Sequence, residues 1–415
     1  MLRTLRTLAL PATLLAGSPA LAGDAPAGGG GSAAADTADA PDVAPAPEAP
    51  AAKPVQARFV LSHFADLPVS GDADPTLRLG GKFDMFVNIR GSAFGMDDSI
   101  RLHFQPEFKY GESANGTVGL LPTNSQLFYP GRGEEFDLSA SVTKVWSSGT
   151  SLTVGKMNLL SLAEQVPVLG GGGHEGFQNL AMALPPTAVV PGSITGAMLN
   201  VPTKAAFYRL WVFDARSQSR RSGFEDPFGD GVAALGAATV PVRIAGRSSF
   251  ISGRVIASTR SRMATEGLPP VLIPAPGSGF GNRKGELAGV LSVYHYVAEY
   301  PEAPGKGIAL FGQVFASNGD PTFLDRSAFA GVIGHPRGRP QDKFGIAWFR
   351  YSITDSLVSA LSNRVALQDE EGVEAFYTLE VAKRLRVSAN VQVVDSAVTV
   401  RDTGVIAGLR ISSRF

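Results

Sequence analysis

The sequence contains no cysteine in its 415 residues. This absence excludes disulfide bonds, thiolate metal sites and a cysteine nucleophile. It also excludes lipoprotein anchoring through an N-terminal cysteine. A chain without thiols is compatible with passage through an oxidising periplasm.

Charged residues are also sparse. They make up 18% of the chain, and 37 basic residues balance 37 acidic ones. A neutral chain lacks the basic signature of a nucleic-acid-binding protein, so no nucleic-acid partner is expected. The low charge and the 48 glycines are typical of many strands joined by turns. The length suits two or three soluble domains or one large barrel.

Long apolar runs are missing as well. No segment after the N-terminus reaches the ~18 consecutive apolar residues of a membrane-spanning helix. If the protein lies in a membrane, it must therefore be a closed β-barrel, since only helices and closed barrels satisfy every backbone polar group in lipid.

The N-terminus has the features of a secretion signal over residues 1–22. Arg3 and Arg6 precede a short apolar segment, and Ala20-Leu21-Ala22 forms a small-x-small cleavage site. Residues 23–56 are rich in Ala and Pro without aromatic residues, which predicts a flexible linker. The folded domain is then residues 57–415.

Alternating segments of about ten residues recur throughout this domain, as in outer-membrane barrels. They predict sixteen strands: 57–64, 79–90, 99–110, 134–146, 150–157, 194–201, 205–214, 232–243, 247–258, 286–297, 307–316, 327–334, 343–352, 373–382, 385–394 and 405–415.

The connections between these segments alternate between short and long. Ser147-Ser148-Gly149 is followed by the long segment 158–193, and Lys383-Arg384 by 395–404. Outer-membrane barrels have short periplasmic turns and longer outer loops, whereas a soluble sandwich or propeller gives no reason for this asymmetry. The sequence therefore predicts an all-β fold, a 16-stranded antiparallel transmembrane barrel.

The last segment carries an apolar face that includes Val405, Leu409 and Ile411, and a polar face that includes Arg410. It must pair with the weak first strand, 57–64, to close the barrel and remove the open edge. We expect the terminal Phe415 to serve assembly, through the barrel-assembly machinery, rather than conduction.

A set of polar and aromatic side chains is predicted to line the lumen and contact substrate. It comprises Arg90, Arg101, Arg209, Arg254, Phe311, Gln313, Trp348, Arg350, Glu374, Glu380, Arg386, Asn390, Gln392 and Arg410. Arginines with aromatic neighbours suit neutral sugars, because guanidinium groups donate to hydroxyls and aromatic rings pack on the apolar sugar face. An arginine ladder could equally serve anions, and some arginines could be paired with lumen carboxylates and only stiffen the wall.

The segment 158–193 is the longest connection and would be the third outer loop. Its start, 158–166, reads as a short helix, and Gly170 to Gly173 follow. A loop of this length either covers the outer opening of the barrel or folds into the lumen. Inside the lumen it would set the width of the pore and the electrostatic field within it. Its predicted constriction residues are Glu164, Gln165, His174, Glu175, Gln178 and Asn179.

Catalytic and metal-binding patterns are weak. The five histidines have no metal-ligand spacing, no phosphate-binding or dinucleotide motif is present, and no Ser/His/Asp arrangement rises above chance. We therefore expect neither enzymatic activity nor a cofactor or metal.

From Phe136 to the end, the sequence resembles the bacterial carbohydrate-selective porin family. The resemblance rests on Gly155-Lys156, Gly170 to Gly173, Phe177-Gln178-Asn179, Phe311-Gly312, Ser317 to Pro321, Gly331, Gly334, Arg337 to Asp342, Gly345, Ala347, Glu380, Gln392, Gly408-Leu409-Arg410 and Phe415. Asn318 departs from the Asp that the family often carries there. The resemblance implies a sixteen-stranded outer-membrane barrel that passes monosaccharides by facilitated diffusion without a cofactor.

The sequence thus predicts a porin with small sugars and outer-membrane lipid as partners, and leaves monomer or homotrimer open. An anion-preferring or general small-solute channel is the alternative within the same class. A secreted soluble sugar-binding β-protein and a barrel-embedded hydrolase are alternatives from other classes.

Overall fold

Sixteen antiparallel strands close into a barrel in the computed structural model, in which every strand pairs with its neighbours in sequence and the last pairs with the first. The structure describes residues 53–415 apart from 164–173, 184–189, 220, 224, 266–269 and 304. The predicted signal peptide and nearly all of the predicted linker lie outside the described residues.

The strands are β1 Val55–Ser70, β2 Arg78–Arg90, β3 Ile100–Ser113, β4 Gly131–Val145, β5 Ser151–Asn158, β6 Ser193–Pro202, β7 Phe207–Asp214, β8 Val232–Ile244, β9 Arg247–Ser258, β10 Glu286–Glu299, β11 Gly307–Ser317, β12 Leu324–Gly334, β13 Lys343–Ile353, β14 Glu370–Ala382, β15 Leu385–Asp395 and β16 Gly404–Arg414. The α-helices are α1 Leu159–Ala163, α2 Leu180–Ala183 and α3 Asp355–Leu361, and short 3₁₀ turns cover Gly91–Phe94 and Pro270–Leu272. No described helix is long and apolar enough to cross a membrane.

The predicted fold is confirmed: each of the sixteen predicted segments corresponds to a strand. The first strand is longer than predicted, spanning 55–70 rather than 57–64. The Ala- and Gly-rich segment 232–243 forms β8 almost as predicted. The predicted helix 158–166 is α1 Leu159–Ala163 as far as the described residues extend.

Side chains alternate between the two faces of the barrel wall. In β15, Ala389, Val391 and Val393 are exposed on the outer face, whereas Asn390 and Gln392 are buried on the lumen face. Outward apolar residues recur on the other strands, for example Phe104, Leu210 and Leu291. An apolar outer belt over a more polar interior is the arrangement expected of a membrane barrel.

The connections at the two ends of the barrel differ in length. Residues 146–150, 203–206, 245–246 and 383–384 join strands at one end, called here the short-turn end. Residues 114–130, 159–192, 215–231 and 259–285 join strands at the long-loop end. The segments 114–130 and 159–192 are called loop 2 and loop 3. Pro336 to Asp342 lies between β12 and β13 at the short-turn end, so its arginines are turn residues.

The barrel closes at the seam between β1 and β16. Their register runs from Val60 opposite Arg414 to Ser70 opposite Val405. The backbone of Phe415 extends the seam, since its N–H donates to the carbonyl of Phe59 and its carbonyl accepts from the N–H of Phe59, both at 3.0 Å. The ring of Phe415 is 63% exposed.

Deletion of Phe415 is therefore expected to reduce assembly and leave conduction unchanged. The deletion removes two seam hydrogen bonds and an exposed ring, but no group that faces the lumen. The yield of heat-modifiable barrel in outer-membrane fractions should fall, while channels that do assemble should have the single-channel conductance of the unaltered protein. Normal yield with altered conductance would contradict this role.

The interior of the barrel holds a large apolar cluster. Phe213, Phe315, Phe329 and Phe349 on the lumen faces of four strands are buried within it. The cluster also includes loop residues: Leu120, Leu121, Phe177, Leu180, Met182, Leu272 and Phe280. Part of the wall is therefore apolar on its lumen side because loops pack against it there.

Candidate pore and constriction

Loop 3 returns into the barrel and is held by Glu374 on β14. The Glu374 carboxylate accepts the backbone N–H of Gln178 at 2.7 Å and that of Asn179 at 2.8 Å. The Asn179 side chain donates to Gln392 Oε1 on β15 at 3.0 Å. Hydrogen bonds from backbone N–H groups to a carboxylate are charge-assisted and strong. This loop therefore narrows the lumen from a fixed position on the wall.

Glu175 joins loop 3 to two arginines nearer the short-turn end. Its carboxylate contacts the guanidinium groups of Arg386 on β15 and Arg414 on β16. Burial alone would raise the pKa of the Glu175 carboxyl, but the adjacent Arg414 and Arg386 hold this pKa below its usual value. Glu175 therefore stays ionised at neutral pH, and its ion pairs persist. Arg386 also contacts Glu380 at 2.8 Å.

His174, the first residue of the described segment 174–183 of loop 3, attaches this segment to β1 and β2. Its Nδ1 lies 2.9 Å from Ser62 Oγ, and its Nε2 lies 3.1 Å from Asp84 Oδ2. This Ser–His–Asp chain was not found from the sequence. Ser62 is fully buried, and its hydroxyl also contacts Ser412 Oγ at 2.7 Å. The arrangement anchors the loop and presents no accessible nucleophile.

The structure also changes the interpretation of several predicted pore-lining residues. Arg410, Asn390, Gln392 and Glu374 lie on the lumen face as expected, but each is at most 4% exposed. Arg410 donates to the carbonyl of Gly176 in loop 3 at 3.0 Å. Arg410, Gln392 and Glu374 therefore hold loop 3 rather than contact a solute, and Asn390 donates to Glu374 Oε1 at 3.3 Å. Predicted constriction residues Glu164 and Gln165 lie outside the described residues.

Loop 2 also folds into the barrel, which the sequence analysis missed. Its Asn124 side chain donates to Asp66 on β1 at 2.8 Å, and the N–H of Leu120 donates to Glu370 on β14 at 2.6 Å. Loops 2 and 3 contact each other through the N–H of Ser125 and the carbonyl of Gln178, at 2.8 Å. The sequence signal is an Asn/Ser/Gln-rich segment, Asn124 to Gln126, too polar for its degree of burial without fixed partners.

An ion-pair network lies beneath loop 2 on β2 and β3. Lys82 Nζ is 2.7 Å from Glu107 and 3.1 Å from Asp84, and it donates to Gln126 Oε1 of loop 2 at 3.0 Å. Lys109 contacts the other oxygen of Glu107 at 2.8 Å. Because lysine and carboxylate charges alternate, this wall carries little net charge.

The wall formed by β6 to β13 has a different character. Arg209 on β7 and Arg254 on β9 face the lumen, together with Trp211 and Tyr294 on β7 and β10. Arg254 donates to Ser292 Oγ at 2.8 Å and to Gln313. Arg209, Arg254 and Gln313 were predicted to line the lumen, whereas Trp211 was not, although its alternation with Leu210 and Val212 marks it as inward-facing.

The other predicted lumen residues have varied surroundings. Phe311 is buried with its ring centroid 5.8 Å from that of Phe177 in loop 3, so it packs against the loop. Arg90 and Arg101 are directly opposite each other on β2 and β3 near the short-turn end. Arg90 lies 3.9 Å from Asp98. Like charges in directly opposite positions repel each other, and the carboxylate of Asp98 offsets part of this repulsion.

Trp348 and Arg350 are corrections: the prediction that they face the lumen is wrong. They share the outer face of β13 with Ile346, while Ala347 and Phe349 face inward, and the two are 41% and 52% exposed. Arg350 contacts Asp369 at 3.0 Å near the long-loop end. The middle lumen positions of β13, Gly345, Ala347 and Phe349, are small or apolar, and loop 3 packs there with Phe177 against Gly345. Polarity therefore does not identify the inward face of this strand.

No group of three or more His, Asp or Glu side chains suited to a metal ion occurs within the described part of the chain. The interior polar groups are organised instead as loop anchors on one side and as an arginine- and aromatic-bearing wall on the other.

Comparison with known proteins gives matches of two kinds, one to a family and the others to solved structures. Residues 253–415 match the model of the family described as carbohydrate-selective porin, OprB family. A structure of Pseudomonas putida OprB at high pH is 17% identical, with a TM-score of 0.72 over 87% of this chain and 94% of that chain. The outer membrane channel DcaP of Acinetobacter baumannii is 10% identical, with a TM-score of 0.53 over 87% and 97% of the two chains. No curated protein matched the chain.

These structural matches establish the fold, and the family match covers the second half of β9 and all of β10 to β16. A closed antiparallel barrel with an apolar outer belt is the architecture of outer-membrane barrels. Together, the family match and the barrel fold confirm the resemblance to the carbohydrate-selective porins that the sequence motifs indicated.

Proposed function

We propose that the protein passes small, glucose-like sugars into the periplasm by passive diffusion. The observation that carries this proposal is the lumen wall of β6 to β13. It places Trp211 and Tyr294 beside hydrogen-bonding groups on β7, β9 and β10, whereas the hydrogen bonds that anchor loops 2 and 3 are made mainly to β1, β2 and β14 to β16. The family match over residues 253–415 supports the same substrate class.

The chemistry of this wall suits weak sugar binding. Trp211 and Tyr294 can stack on the apolar face of a sugar ring, and Ser292, Arg209 and Arg254 face the lumen beside them as groups that can exchange hydrogen bonds with sugar hydroxyls. Water already satisfies those hydroxyls, so the net gain of each hydrogen bond is small. Binding of this strength favours occupancy of the lumen without preventing release.

Liposome swelling tests the proposal directly. Purified protein in liposomes should give glucose-dependent swelling well above that of protein-free liposomes. It should also exceed the rate for a disaccharide, since loop 3 narrows the lumen. Equal rates with and without protein would refute sugar passage.

Trp211→Ala should weaken glucose binding in the pore. Loss of one stacking ring is worth about 1 kcal/mol, so the glucose concentration that half-blocks the single-channel current should rise about fivefold. Trp348→Ala is the matched control, because Trp348 lies on the outer face and should not change this concentration. An equal effect of the two substitutions would contradict sugar contact at Trp211.

The remaining features of the proposal concern the route to the membrane and the assembled state. Residues 1–22 act as a cleaved signal peptide, residues 23–56 as a periplasmic linker and residues 57–415 as the porin domain. The barrel-assembly machinery inserts the barrel into outer-membrane lipid, as a monomer or a homotrimer. Conduction requires no cofactor and no catalysis.

A further inference from the structure

Two arginines stand on either side of one alanine on the lumen wall. Arg209 on β7 and Arg254 on β9 are both paired with Ala237 on the intervening strand β8. Two strand spacings separate their Cα atoms by about 10 Å, and the alanine between them contributes only a buried methyl group. Both side chains are only partly buried.

Neither guanidinium contacts a carboxylate among the described residues. Arg209 donates to Thr239 Oγ1 at 3.4 Å and lies 4.7 Å from the ring centroid of Phe207. Arg254 donates to Ser292 and Gln313, which are neutral. Elsewhere in the lumen, Lys82, Lys109, Lys156 and Arg386 each contact a carboxylate.

The surrounding wall offers no compensating negative charge. The buried carboxylates of strands β6 to β13, which the structure describes in full, are Asp214 and Glu286, both near the long-loop end. Asp214 contacts Arg216 at 3.2 Å and Glu286 contacts Arg260 at 2.6 Å, so each already has a basic partner. Arg209 and Arg254 thus create a local positive field in a confined space, where such fields act strongly on solutes.

Free hydrogen-bonding capacity near the two arginines is mostly that of donors. Trp211 Nε1, Arg254 Nε and Gln313 Nε2 are buried without a hydrogen-bond partner in the described chain, as is the acceptor Asn200 Oδ1. Buried polar atoms of this kind normally have a partner. The balance fits a solute rich in acceptor oxygens.

We infer that Arg209 and Arg254 bind sugars that carry a carboxylate, the uronic or aldonic acids. The carboxylate bridges the two guanidinium groups, and the hydroxyls of the same sugar contact the neighbouring neutral side chains. This inference rests on the proposed sugar porin and narrows its substrate class.

The experiment measures current block in planar bilayers containing the full-length purified protein, at constant ionic strength. The probes are glucuronate, glucose and acetate. Glucuronate should half-block the unaltered channel at a concentration about tenfold below that of glucose, as expected for a charge-assisted contact. In the double variant Arg209→Gln/Arg254→Gln, the half-blocking concentration of glucuronate should rise about tenfold. The half-blocking concentration of glucose should rise only about twofold.

The control removes the same charge from the outer face. Arg326→Gln/Arg350→Gln replaces two exposed arginines of β12 and β13 and should leave all three values unchanged. Heat-modifiable gel mobility verifies folding of each variant. If the double variant does not fold, Arg254→Lys replaces it, because lysine keeps the charge but lacks the planar donor pair of arginine. This substitution should raise the half-blocking concentration of glucuronate more than that of glucose.

Other outcomes would overturn the inference. Equal loss of glucuronate and glucose block in the double variant would identify a neutral-sugar site and leave the porin proposal intact. Block by acetate as effective as by glucuronate would identify a general anion site. If neither sugar affected the unaltered channel, the proposed sugar porin itself would fail.

Discussion

Replacement of Glu374 with alanine is expected to release loop 3 and raise the conductance of the channel. The carboxylate holds two consecutive backbone N–H groups, those of Gln178 and Asn179, at the base of the constriction. Glu374 is fully buried, so water cannot readily take its place. Loss of these contacts leaves two buried donors without a partner and should weaken loop docking by about 2–5 kcal/mol.

Single-channel recording separates loop release from general damage. The variant should show higher and noisier conductance, with weaker block by glucose, while its heat-modifiable mobility stays normal. Glu371→Gln is the matched control, because Glu371 neighbours Glu374 on β14 but lies on the outer face, 3.6 Å from Arg350. A Glu374→Ala channel with unchanged conductance would show that the other anchors, at Glu175 and His174, suffice to hold the loop.

The strands were predictable because two features can be read directly along the sequence. Apolar and polar residues alternate within each strand, and short and long connections alternate between strands. Even the Ala- and Gly-rich β8 was found from its spacing. Its small side chains alone gave little contrast between the two faces. The same reasoning could not predict that Trp348 and Arg350 lie on the outer face of β13. Loop packing makes the lumen face of β13 apolar, and the membrane boundary tolerates charge on its outer face.

The loop anchors required the structure because their partners are far apart in sequence. Gln178 was predicted as a constriction residue and Glu374 as a wall residue, but the 2.7 Å contact joins positions nearly two hundred residues apart. The inward course of loop 2 was missed for a related reason. Its segment Asn124 to Gln126 reads as an exposed polar turn until the partners Asp66 and Lys82 are known. Side chains predicted to contact sugar, such as Arg410, turned out to hold the loop.

Replacement of Lys82 with methionine should cause the largest loss of stability. The ammonium group is 1% exposed and lies between Glu107 and Asp84, which are themselves buried. Methionine fills the space but leaves two like charges facing each other without a counter-charge. Removal of one partner from a buried ion pair costs about 3–5 kcal/mol. The contact with Gln126 is also lost, so loop 2 should become more accessible.

The temperature at which the barrel loses its heat-modifiable mobility measures this effect. It should fall markedly for Lys82→Met and remain unchanged for Lys383→Met, the same substitution in an exposed turn of the short-turn end. Addition of Glu107→Gln to Lys82→Met should restore part of the loss, because it removes one of the two facing charges. If the second substitution made the barrel still less stable, the cost would come from the contacts of Glu107 with Lys109 and Asn158 rather than from charge repulsion. That result would show that Lys82 acts mainly through its hydrogen bonds and that the alternation of charge on β2 and β3 is not what stabilises this wall.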